Sequence, residues 1–275
     1  MRGTLHHGLL GASTTSGGGE APADAEYLDI IAYSEPFYVS FTNDIEYRID
    51  GGAWQTLSAG SNTPSVSALQ TISFRGELGS GDSNNGNGTF TMSGSAYLTG
   101  NCNALLFGNY AKGKTDISAY SACFRRLFAG NTGLIVVDEN FLPATTLSQD
   151  CYALMFDDCI GLLNAPKLPA TQLASSCYNW MFGGCISLET APDLPASTLA
   201  SYCYNSMFRG CSSLNYVKML AVSGNWTRTE SWLDGVASSG TFVKHPNNTW
   251  ITSVPTGVPS GSGIPSGWTV QTATS

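Results

Sequence analysis

LPATTLSQDCYALMFDDCIGLLNAPK (Leu142–Lys167), LPATQLASSCYNWMFGGCISLETAPD (Leu168–Asp193) and LPASTLASYCYNSMFRGCSSLNYVKM (Leu194–Met219) follow one another without a gap. The three units agree at ten of 26 positions, all Leu, Pro, Ala, Cys, Tyr, Met or Phe and none charged. A fixed period in this range predicts a solenoid in which each unit buries one face against the next. Identity confined to such types marks packing rather than chemistry: a core residue is needed in every unit, a catalytic residue once.

In the second unit Leu173, Cys177, Met181 and Cys185 recur every four residues, with Tyr178 and Phe182 one step on. That spacing predicts one wide apolar face of a helix, with Thr171 placed to cap its start and Gly183-Gly184 its end. ISLETAP then supplies a short strand, closed by Pro192 and Leu194-Pro195. One helix of three turns and one strand per unit make a leucine-rich-repeat solenoid, an α/β architecture, over residues 101–220. Two degenerate copies surround Cys102 and Cys123. Residues 221–275 read as a cap: Trp232 and Leu233 fall near the Trp–Met positions of the repeat, and the Pro/Gly/Ser-rich end is pinned by Trp268.

The period also bears on the cysteines. Cys151, Cys177 and Cys203 are 26 apart, as are Cys159, Cys185 and Cys211, while Cys102 and Cys123 each precede a Phe by five residues as Cys151 does. All eight therefore sit at repeat positions, which favours ladders of buried thiols over disulfides or a metal. The C-x7-C spacing does not match the short pairs of structural zinc sites.

Ahead of the repeats, residues 25–100 predict a small antiparallel β-sandwich. EYLDIIAY, PFYVSF, LQTISF and TFTM are β-branched and aromatic, and IEYRIDGGAWQTL alternates Ile45, Tyr47 and Ile49 around an Asp50-Gly51-Gly52 turn, a hairpin pattern. GDSNNGNG (Gly81–Gly88) lacks the Gly and Glu of a calcium loop and reads as a flexible hairpin tip. Residues 1–24 read as an anchor tail: an apolar patch of Leu5, His6, His7, Leu9 and Leu10, then a Gly-rich linker.

Charge narrows the function. Charged residues are 12% of the chain, against about 25% in an average soluble domain. The net charge of −8 arises between Glu20 and Asp82, where ten acids face only Arg48 and Arg75. Phosphates would be repelled, so nucleic acid is not an expected partner. No run reaches the ~18 apolar residues of a membrane span, and the first residues lack the apolar core of a secretory leader.

The pattern LPATTL-x3-CY-x2-MF-x2-C-x2-L resembles the BspA-like leucine-rich repeats of gut Bacteroidetes and their phages. IEYRIDGGAWQTL…ISFRGEL…GTFTMSG is similar to the β-module that precedes such repeats, and GTFVK…GIPSGWTV to their ending. The resemblance spans residues 25–275. It implies a surface adhesin or binding module without catalytic residues or cofactor. The tail in place of a leader resembles the anchors of phage virion proteins. A virion-surface component docked through its tail on a structural protein is therefore expected, with a homo-oligomer in view. The alternative is a bacterial cell-surface adhesin for host glycoprotein or polysaccharide.

No residue set points to catalysis or metal binding. His6 and His7 are adjacent and His245 lies in KHPNNT, none beside a nucleophile motif. Asp157-Asp158 is replaced by Gly183-Gly184 and Arg209-Gly210, as suits a solvated helix end. Tyr152, Tyr178 and Tyr204 read as core rather than as an aromatic ladder for sugars. Binding is expected where the copies differ, and the candidates are Asn179, Trp180, Tyr202 and Asn205.

Overall fold

A computed structural model describes residues 22–222, 225–252 and 256–274. In chain order the strands are β1 (Leu28–Ala32), β2 (Val39–Phe41), β3 (Ile45–Ile49), β4 (Gln55–Leu57), β5 (Thr71–Arg75), β6 (Phe90–Met92), β7 (Ala96–Gly100), β8 (Leu134–Val137), β9 (Tyr216–Met219), β10 (Gly240–Lys244) and β11 (Trp268–Thr272). The one α-helix among the described residues is α1 (Ala104–Phe107), a single turn.

This overturns the expected α/β class. The chain is mostly β, in several sheets, and the helix-and-strand leucine-rich-repeat solenoid does not form. Where a helix was expected, every fourth residue has a left-handed backbone: Asp150, Leu154 and Asp158, then Ser176, Trp180 and Gly184, then Tyr202, Ser206 and Gly210. A right-handed helix cannot contain such residues. The segments are instead β-turns laid end to end, each closed by an i→i+3 bond. The N–H groups of Ala153, Met155, Asp157 and Cys159 donate to the carbonyls of Asp150, Tyr152, Leu154 and Phe156. The intervening N–H groups turn outward to the next unit. Tyr152, Leu154, Phe156 and Asp158 donate to Cys177, Asn179, Met181 and Gly183, at 2.7–3.0 Å.

Thus half of the backbone donors close turns and half join one unit to the next. A helix would keep them all to itself. The four-residue spacing fits both conformations, which is why periodicity misled. Composition favours turns: Ser, Asn and Asp are weak helix formers that tolerate left-handed φ. Thr171 and Gly183-Gly184 therefore cap nothing.

Apolar pairs from each turn point inward and stack on their equivalents. Phe124, Tyr152, Tyr178 and Tyr204 form one column, with centroids 5.7–6.1 Å apart; Phe128, Phe156, Phe182 and Phe208 form a second, 5.6–5.8 Å apart. Each such contact contributes about 0.5–1.5 kcal/mol beyond burial. Trp232 closes both columns, packing on Tyr204 and Phe208. By backbone pairing it stands in the register of Met207, because Phe208 donates to its carbonyl. The sequence placed it at the Trp position instead. Thr229 takes the register of Tyr204 and is fully buried, and its small side chain leaves the indole room.

The β-module is not a self-contained antiparallel sandwich. Its main sheet has the order β4-β3-β5-β1-β7-β8, and β8, from beyond residue 100, pairs parallel with β7. β2 and β6 form a separate ribbon, from which Phe90 packs against Phe74 of β5. The expected hairpin does form: Ile45 pairs with Leu57 and Tyr47 with Gln55. Asp50 and Gly51 both have positive φ, as the tight turn requires. The Gly81–Gly88 tip, expected to be flexible, is docked: the Gly81 N–H donates to the Ser121 carbonyl at 2.8 Å, and a Cβ added at Gly81 would meet the Ala122 carbonyl oxygen.

The same wall continues into the repeats. Leu163 and Lys167 donate to Ile135 of β8 and Glu139 just after it, and Ala191 and Leu194 donate to Tyr216 and Lys218 of β9. β9, β10 and β11 finish it as a parallel sheet. Trp268 pins the end as expected, its indole N–H donating to Ala237 at 2.8 Å. One core cluster runs from Leu28 to Trp268. Among the described residues no helix is long and apolar enough to cross a membrane.

Candidate functional site

Packing accounts for most of the invariant repeat residues. Of the ten positions identical in the three units, the prolines and Leu173 are exposed or half-buried, and every other residue is buried. Tyr152, Tyr178 and Tyr204 are each 1% exposed, so they cannot stack on a sugar. Burial also explains the thiols. All eight cysteines are free and buried, and desolvation raises every one, with Cys151, Cys159, Cys203 and Cys211 reaching about 12. They remain protonated and unreactive at neutral pH. The thiols of Cys159, Cys185 and Cys211 donate to the carbonyls of Phe128, Phe156 and Phe182, at 3.0–3.2 Å.

Some positions that differ between copies are buried, as at Ala153, Ser206, Val217 and Met219, but the four candidates are not. Asn179 and Trp180 are half-buried, Tyr202 is 47% exposed and Asn205 is half-buried. Backbone pairing brings three of the four candidates together. The Trp180 N–H donates to the Asn205 carbonyl at 2.9 Å, and the Asn205 N–H donates to the Tyr202 carbonyl at 3.2 Å. Asn179 precedes Trp180 on the same strip. Trp180 holds its ring outward at φ 55°, in the left-handed region.

Charged residues that identity alone did not single out border this strip. Arg209 places its guanidinium 5.4 Å from the Trp180 ring centroid, and its Nε lies 3.4 Å from Asp234. Asp157 and Asp158 lean over the next unit: a Cβ at Gly183 would collide with both Asp157 Oδ1 and Trp180 Cε3, and one at Gly184 with Asp158 Oδ1. Burial, reinforced by the neighbouring Asp158 and opposed by Arg126, raises Asp157 to about 6. The clue in the sequence was charge appearing in a register that other units fill with glycine.

Leu5, His6, His7, Leu9 and Leu10 lie outside the described residues. His245 accepts from the Asn247 N–H at 3.1 Å within its own turn. Among the described residues no group of three or more His, Cys, Asp or Glu is placed to hold a metal ion. Comparison with protein-family models, curated proteins and solved structures finds no match to this chain.

Proposed function

We propose that this protein is a non-enzymatic, surface-displayed binding protein that engages its target through the outward edge of its stacked turns. One observation carries the reading: nearly all residues that repeat go into the core, while the varying residues Trp180, Tyr202 and Asn205 are joined by backbone pairing on an edge where none of the three is buried. A scaffold with constant packing and variable surface sets specificity by side chains alone, and Trp180, Arg209 beside it and the exposed Tyr202 are residue types enriched at binding hot spots.

The resemblance to BspA-like repeats, with the apolar patch and Gly-rich linker of the tail, supports display on a virion surface. Display on a bacterial surface as an adhesin for host glycoprotein or polysaccharide is the second reading, supported by the same resemblance. Trp180→Ala and Tyr202→Ala, measured by adhesion to host cells and immobilised glycoproteins, test the binding surface; wild-type adhesion by both variants defeats it. Deleting residues 1–19 tests virion display, and normal incorporation of the truncated chain into particles defeats that.

A further inference from the structure

A second surface, on the β-module, has the geometry of a small-ligand site. The start of β3, the end of β5 and the turn after α1 enclose an open cleft of about 370 Å3, with Asp44, Glu46, Arg75, Glu77, Asn109 and Tyr110 on its walls. That is within the ~300–1,000 Å3 typical of small-ligand sites and accommodates one or two sugar rings. The cleft is anchored from below, since Gly76 and Leu78 donate to the carbonyls of Ala104 and Leu105 in α1.

Its polar groups are oriented before any ligand arrives. Arg75 donates through Nε and Nη2 to the two oxygens of Glu46, at 2.8 and 3.2 Å, and through Nη1 to Asn109 Oδ1 at 2.6 Å. Its guanidinium also packs 4.1 Å from the Trp54 ring centroid. Asn109 Oδ1 accepts a second bond from the Tyr27 hydroxyl at 3.1 Å. With its oxygen held twice, the Asn109 amide presents its NH2 the other way, and that group makes no hydrogen bond among the described residues. Glu77 and Tyr110 also make no side-chain hydrogen bond among the described residues, and Tyr110 is 61% exposed.

The wall therefore offers fixed donors (Asn109 and the remaining Arg75 protons), acceptors (Glu46 and Glu77) and one open aromatic face. We infer that this cleft binds a neutral saccharide: hydroxyls supply both the acceptors that Asn109 and Arg75 need and the donors that the carboxylates need, while Tyr110 covers an apolar sugar face. An anion is disfavoured by Asp44, Glu46 and Glu77 against a single guanidinium already paired. A purely apolar ligand would leave the oriented groups unsatisfied. The site is separate from the turn edge and does not depend on it.

The test titrates the full chain with glucose, galactose, mannose, fucose, N-acetylglucosamine and their disaccharides, with glucuronate and lysine as charged controls. Saturation-transfer NMR and calorimetry are the readouts. Saturable binding of at least one neutral saccharide is expected, weakened about tenfold by Tyr110→Ala and measurably by Glu77→Gln. Both residues are exposed, so an unchanged melting temperature shows that the variants fold. Trp180→Ala leaves this binding intact, which separates the cleft from the turn-edge proposal. The inference is overturned if no neutral saccharide binds at tens of millimolar, if Tyr110→Ala binds like wild type, or if glucuronate or lysine binds more tightly.

Discussion

Tyr152 lies flat against Tyr178, with ring centroids 5.9 Å apart and planes 6° from parallel. The contact joins equivalent atoms of successive units, so a change in one ring is felt by the column. The Tyr152 hydroxyl is buried without a hydrogen-bond partner among the described residues. Tyr152→Phe keeps the stack and removes that desolvated group, and should raise the unfolding free energy by about 1 kcal/mol. Chemical denaturation measures it; a loss of stability would mean that the hydroxyl is bonded.

Trp232 ends the aromatic columns, touching Tyr204, Phe208 and Phe242 at 6.0–6.4 Å between centroids. Trp232→Ala leaves a cavity that the small Thr229 beside it cannot fill. A loss of about 3–5 kcal/mol is expected, read as a lower urea midpoint, with Trp232→Phe recovering part of it.

Asp158 has φ 56°, and the next two units carry Gly184 and Gly210 in its register at φ 68° and 77°. Asp158→Gly should stabilise the fold by about 0.5–1 kcal/mol, because a left-handed residue without Cβ is unstrained. In a helix the same change would cost about 0.5–1 kcal/mol. The sign of the shift in melting temperature thus discriminates a chain of turns from a helix.

Asp157 titrates near 6 when folded, against 3.8 as a free side chain, so folding favours its protonated form. The carboxylate's penalty is absent below about pH 4, grows through the interval and is complete above about pH 6. Asp157→Asn should therefore stabilise the protein above pH 6 by about 1 kcal/mol, a figure reduced for solvent screening of a half-exposed group. Melting curves at pH 4 and pH 7 compare the two chains; an equal gain at both would show that charge is not the cause.

Every cysteine is buried with its thiol pKa raised. The native protein should show no fast labelling by a thiol reagent at pH 8, and full labelling of all eight once denatured. Rapid modification of the native chain would contradict the buried ladders.

The buried positions and the β3–β4 hairpin were legible in the sequence. Cys, Tyr, Met and Phe repeated at constant spacing in every unit read as packing residues, and Asp50-Gly51 encodes its turn in two adjacent residues. The candidates Asn179, Trp180, Tyr202 and Asn205 were legible as variable positions, but not the company they keep. Arg209 stands 29 residues from Trp180 and meets it only through stacking. The cleft was not legible at all, because Glu46, Arg75 and Asn109 come from three separate segments and Asn109 matters only through the orientation that Arg75 and Tyr27 impose.

By itself the sequence determined the 26-residue period, which residues face the core and that the cysteines behave alike. Only the tertiary structure decided the backbone. Apolar pairs every four residues suit a helix and a train of β-turns equally, and the Ser, Asp and Gly of the left-handed register tilt the balance towards turns without deciding it. The choice depends on where the N–H groups of Tyr152, Leu154, Phe156 and Asp158 find acceptors. Those acceptors lie in the next unit, at Cys177, Asn179, Met181 and Gly183. Once a neighbour supplies them, left-handed turns that would be strained alone become the conformation that bonds both within and between units.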